Sequence, residues 1–200
     1  MDSGETFTGR IGIFTVPEKL TDMSSLSGSA ENGFYSADRE TRLCIGFLKK
    51  IGIEVLERHV GTAGFLPGLS IEQGCLFIDP ESLLYPGDIL HEAGHIAVVP
   101  AAERHTLNAE SIKLRKDREA EEMMSIAWSF AACTFIGLEP EFVFHENGYK
   151  SGGSHIANLF REKSYIGLPM LQWVGLTADE KNAPALKIEP YPNMIKWLRD

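Results

Sequence analysis

Cysteine is scarce in this chain: its 200 residues hold three, Cys44, Cys75 and Cys133. They are far apart and odd in number, which argues against a disulfide framework and against a zinc site built from cysteine pairs. Each stands in an apolar stretch, so buried thiols and a reducing compartment are expected. Positive charge is short as well: 19 Lys and Arg against 28 Asp and Glu leave a formal net charge of -9. Nucleic-acid binders need a basic stripe, and an acidic surface works against them. The run Lys113-Leu114-Arg115-Lys116 adjoins Asp117 and Glu119 and reads as a solvated face. Long apolar runs are missing too. The stretch from Ile126 to Leu138 is too short to cross a bilayer. The acidic start Met1-Asp2-Ser3-Gly4-Glu5 has no apolar segment behind it, so no secretory leader and a cytoplasmic location are expected. The glycines from Gly148 to Gly153 do not close on the Gly-Lys-Ser/Thr of a phosphate-binding loop. No base is evident for Ser154 or Cys133, which argues against nucleophilic catalysis.

What is present reads as one globular domain over residues 1 to 200, with 44% hydrophobic residues. Ile11 to Val16 has strand composition, and Ser24 to Gly33 that of a mobile loop, so the first 35 residues are hard to place. The pattern predicts a helix over Ser36 to Ile51, capped by Ser36 and stopped by Gly52. It predicts a strand over Ile53 to Val60 and a hairpin of Leu69–Ile71 with Cys75–Ile78. Asp88 is a good N-cap for a helix from Ile89 to Val99, which Pro100 must end. A longer, almost wholly apolar helix is expected from Asp117 to Ile136, with Gly137 as its stop. Ser154 to Lys163 suggests a further helix, and Glu189-Pro190-Tyr191-Pro192 a linker to a short final one.

The chemistry concentrates in His91-Glu92-Ala93-Gly94-His95. This is the H-E-x-x-H pattern on a predicted helix, and residues i and i+4 share one helix face. Both imidazoles can then reach one ion. Glu92, one position further round, can flank that ion and take a proton from its water. A bare match is moderate evidence, because three fixed residues in five recur by chance in roughly one chain in a few hundred at average composition. Context adds to it. The flanks Ile89-Leu90 and Ile96 to Val99 are apolar, and burying a His-Glu-His cluster is expensive unless something satisfies it. Gly94 costs helix stability relative to Ala, which points to another backbone passing close by.

The segment resembles the active-site helix of the zincin metallopeptidases. It is not the metzincin form, whose longer motif wants Gly and His where this chain has Val98 and Ala101. It is similar to the gluzincins, in which a glutamate on the next helix is the third ligand. Glu119, Glu121 and Glu122 are the candidates. Such ligand glutamates are usually followed three positions on by a small residue, and Glu122 has Ser125 there, with Ser129 a turn later. Glu122 is therefore preferred, and an ionised carboxylate in so apolar a helix needs a cation to offset its desolvation. His105, His145 or His155 could replace it, and these or Tyr149 and Tyr165 could stabilise an oxyanion. Many gluzincins place Asp or Asn four positions after the ligand to orient a histidine. Here that position is Ile126, so the orienting partner must come from elsewhere.

The resemblance, over residues 75 to 137, implies an α+β fold with a zincin-like core: a small β-sheet packed against the H-E-x-x-H helix and a buried glutamate helix. It implies Zn²⁺ held by His91, His95 and Glu122, Glu92 as catalytic base, and a peptide or protein substrate pairing with a strand that walls the cleft, for which Cys75–Ile78 is the candidate. The alternative is a non-catalytic binding or regulatory module with a structural metal, distinguished by a fourth protein ligand in place of water. Neither reading involves nucleic acid or a membrane.

Overall fold

The computed structural model describes residues 38–60 and 66–200. The strand expected at Ile11 to Val16, the loop at Ser24 to Gly33 and the cap at Ser36 lie outside them. Among the described residues the chain is a mixed α/β structure with a three-stranded sheet and eight α-helices.

Helix α1 spans Arg39–Ile51. Its cap is Asp38, whose carboxylate accepts from the Thr41 amide at 2.7 Å. Gly52, at φ 94°, ends it in a left-handed conformation that a side chain would strain. Strand β1, Val55–Glu57, is shorter than its pattern implies. Strands β2, Leu69–Glu72, and β3, Cys75–Ile78, pair antiparallel as the expected hairpin. Gln73 and Gly74 turn it with φ of 52° and 76°, the two positive values a tight I′ turn requires. Val55, Leu69, Ile71, Leu76 and Ile78 are buried on the core side.

The sheet order is β1-β3-β2, with β1 parallel to β3. This corrects the expectation that Cys75–Ile78 walls a cleft. β3 is the central strand, bonded on both sides, and has no free edge for a peptide.

The remaining helices are α2 Asp88–Ala97, α3 Ala101–Arg104, α4 Ala109–Leu114, α5 Arg118–Phe135, α6 Gly153–Arg161, α7 Leu168–Trp173 and α8 Ala183–Leu186. Asp88 does not cap α2. Gly87 holds that position, and Asp88 is the first helical residue. The run around Lys113 is only partly solvated, since Arg115 makes a bidentate pair with buried Glu121, at 2.6 and 2.8 Å. Cys44 and Cys133 are buried, as expected, but Cys75 is only half-buried, its thiol 3.1 Å from Glu54 Oε2.

No final helix follows Pro192. The tail instead packs back on the core. Trp197 stacks edge-on against Phe47 and Trp128, with centroids 4.8 and 5.7 Å away, and its carbonyl accepts from Trp128 Nε1 at 2.8 Å. Arg199 then donates its amide to Ala97 O and its guanidinium to Val98 O, satisfying carbonyls that the end of α2 leaves open. No helix among the described residues is long and apolar enough to cross a membrane.

Candidate metal centre

α2 and α5 are the two elements that build the site. They lie against each other at Gly94, where a Cβ would sit 3.0 Å from both Cα and O of Ser125. This is the close backbone approach that the glycine implied. Leu90, Ala93 and Ala97 of α2 are wholly buried, as are Ala127, Trp128 and Ala131 of α5. Each large apolar side chain so buried contributes about 1.5–3 kcal/mol. That packing fixes the rotation of both helices, and so what each turns towards the other.

His91 and His95 are one turn apart, with ring centroids at 4.9 Å. Their Nε2 atoms point to the same carboxylate: Glu122 Oε1 lies 3.5 Å from His91 Nε2, and Oε2 lies 3.2 Å from His95 Nε2. Two ligands bound at about 2.0–2.1 Å on a tetrahedral zinc stand roughly 3.3 Å apart, so these separations fit that ion. Glu92 joins the cluster, with one ligand-capable atom each from His91, Glu92 and His95 lying within 4.8 Å of one another. Glu92 follows His91 by one residue, about 100° round the helix, so it flanks the ion that the two histidines would share. Glu122 comes from the opposite helix and faces both.

The neighbouring glutamates do not. Glu121 is held by Arg115, and Glu119 is exposed. His105 and His155 are exposed, and Tyr165 packs among Phe130, Phe160 and Tyr191. His145 turns to Asp88 instead, with Nε2 and Oδ1 3.1 Å apart, and stacks on Tyr85 at 4.1 Å. Its Nδ1 is buried without a hydrogen-bond partner.

Both histidines have an outer partner on Nδ1. The Tyr149 hydroxyl is 3.1 Å from His91 Nδ1, and Ser125 Oγ is 3.3 Å from His95 Nδ1. They stand where an orienting partner of each ring would, a place that Ile126 cannot fill. Ser125 stood out in the sequence only as a small residue, and Tyr149 only as an oxyanion candidate. Tyr149 reaches the site from a tight loop in which it and Lys150 have φ of 52° and 56°.

Burial pushes His91 down to about 4, helped by the charge of His95. Burial works in the same direction on His95, but the hydrogen bond it donates to Glu122 and the nearby carboxylates outweigh it and hold His95 above its usual value. Burial raises Glu92, and Asp88 and Glu122 add to that. Burial opposes ionisation of Glu122, yet the two imidazoles keep it below the usual carboxylate range. Glu122 has a side chain 46% exposed, so the cluster opens to solvent on that side. Two surface concavities, of about 380 and 260 Å³, contain none of the four residues.

The geometry stands on its own: no family model, no curated protein and no solved structure matches this chain.

Proposed function

We propose that the protein is a zinc-dependent hydrolase, acting on a peptide or protein, with the zincin-like arrangement of α2 and α5 as its core. The observation that carries this reading is the convergence of His91 Nε2, His95 Nε2 and the Glu122 carboxylate, at 3.2 and 3.5 Å, from two helices. His91, His95 and Glu122 would hold the ion. Two nitrogens and one oxygen suit zinc, and three protein ligands leave the position that a catalytic site keeps for water. Bound there, zinc supplies a Lewis acid that lowers the pKa of water towards about 7. Glu92, raised by burial, is placed to take the proton of the attacking water and to hand it to the leaving amine.

The binding-module alternative requires a fourth protein ligand. His105 and His155 are exposed and His145 turns to Asp88, so Glu92, inside the cluster, is the candidate for a fourth ligand, and we read its one-position offset from His91 as that of a flanking base.

The test is elemental analysis of purified protein, followed by the activity of Glu92→Gln on unstructured peptide substrates. The variant should keep the wild-type metal content and lose hydrolysis. Wild-type protein that takes up no zinc would remove the metal reading, and a fully active Glu92→Gln would remove the mechanism.

A further inference from the structure

A metal accepts an imidazole only at a nitrogen that carries no proton, so each ligand histidine must keep its proton on the other nitrogen. Here the metal-facing nitrogens would be the two Nε2 atoms, and the protons belong on the two Nδ1 atoms. What decides this is whether the outer partner of Nδ1 donates or accepts.

Ser125 Oγ can do either in principle, since a hydroxyl is one donor and two acceptors. In this fold its proton is already committed. Ser125 Oγ donates to Glu121 O, one turn back along α5, at 2.8 Å, whereas His95 Nδ1 is 3.3 Å away. The shorter bond to the carbonyl takes the proton and leaves a lone pair facing His95. The Ser125 oxygen then accepts from His95 Nδ1–H.

His91 has a phenol in the same place: the Tyr149 oxygen is 3.1 Å from His91 Nδ1. A phenol can donate or accept, and with His91 Nε2 turned to the ion its lone pair takes the Nδ1–H. Ser125 is wholly buried.

We propose that Ser125 and Tyr149 are positioning residues that hold His95 and His91 as Nδ1–H tautomers with Nε2 free for the ion. This rests on the metal reading of the site. It gives α5 two tasks: Glu122 is the third ligand, and Ser125, three positions after it, sets the proton position of His95. The small residue there is then polar for a reason. Alanine would give the same close packing against Gly94 but would offer no acceptor.

The experiment compares the full chain with Ser125→Ala and Tyr149→Phe. Zinc affinity is measured by competition with a chelator. The imidazole N–H protons of the zinc-loaded proteins are observed by ¹⁵N-resolved NMR. Wild type should show two Nδ1–H protons protected from exchange. Ser125→Ala should lose protection at His95 alone, and Tyr149→Phe at His91 alone. Zinc affinity should fall about 10–100-fold in Ser125→Ala and Tyr149→Phe, the usual loss on removing an outer partner. Each substitution deletes one oxygen, and a thermal melt of the metal-free proteins separates a folding defect from a site defect. Wild type that binds no zinc overturns the metal reading and this inference with it. Wild type that binds zinc, with variants that keep both protected protons and full affinity, overturns this inference alone.

Discussion

Gly94 on α2 and Ser125 on α5 meet backbone to backbone, leaving 3.0 Å between the place of an absent Cβ and the Ser125 Cα. This contact sets the distance between the helix of histidines and the helix of Glu122. An alanine at residue 94 would improve helix propensity by about 1 kcal/mol. It would also press a methyl group on main-chain atoms that cannot rotate away, and overpacking of this kind costs about 1–3 kcal/mol. The expected net result for Gly94→Ala is a destabilised protein with weakened zinc affinity, read from denaturant unfolding and metal competition. Unchanged stability and affinity would show that the two helices part at little cost.

Glu121 and Glu122 are adjacent in sequence and opposite in role. Glu121 is buried and bonded twice by Arg115, so Glu121→Ala leaves a half-buried guanidinium without its main partner. Breaking a buried pair costs about 3–5 kcal/mol, and this one, with Arg115 still partly wet, should cost about 2–3 kcal/mol. Its zinc affinity should change little in the folded fraction. Glu122→Ala should do the reverse, holding stability in the metal-free protein and losing zinc binding by orders of magnitude. Glu119→Ala, at an exposed position, should alter neither. Parallel melts and zinc titrations of the three variants decide it. A large loss of affinity at Glu121 or Glu119 would move the third ligand, and one at His105, His145 or His155 would remove the glutamate reading.

Below the raised His95 value, zinc uptake should release about one proton, and it should come from His95. His91 has its pKa lowered from 6.5 to about 4, so it is already neutral and has no proton to give. His95 has its pKa raised, so below that value it is protonated and must lose its proton to bind. Glu122 is lowered and already ionised. Affinity should therefore rise with pH by about tenfold per unit until the His95 value is passed, then level off. On the acid side the slope should steepen only as pH approaches about 4, where His91 begins to charge. Calorimetry in two buffers of different ionisation enthalpy counts the protons directly. Release of two protons at neutral pH would contradict the lowered His91.

The tail should matter to the site from a distance. Trp197 packs on Phe47, Trp128 and Phe135, and the next residues bond the last carbonyls of α2. Trp197→Ala should cost about 2–3 kcal/mol, below the usual range for a fully buried Trp because this one is half-buried. The loss should appear in hydrogen exchange as earlier opening of the C-terminal turn of α2. Protection in α2 equal to wild type would show that the tail is not part of its support.

Much of the candidate site is legible along the chain because local rules govern it. Helical period alone puts His91 and His95 on one face. Pro100 and Gly137 bound the two helices by backbone sterics, and Gln73-Gly74 marks the hairpin by its positive φ values. Gly94 signals a close neighbour because a glycine there has a local cost and only a tertiary use. Which backbone passes it, and at what distance, is not a local matter. Glu119, Glu121 and Glu122 differ by about 100° per residue on one helix, and only the packing of α5 against α2 turns Glu122 to the histidines and Glu121 to Arg115. β3 became the central strand because β1 returned parallel beside it, a pairing over more than 20 residues that no local pattern encodes. Tyr149 reaches His91 across 58 positions, and Ser125 reaches His95 across 30. Those contacts cost chain entropy that only the assembled core offsets, so tertiary structure alone decided them.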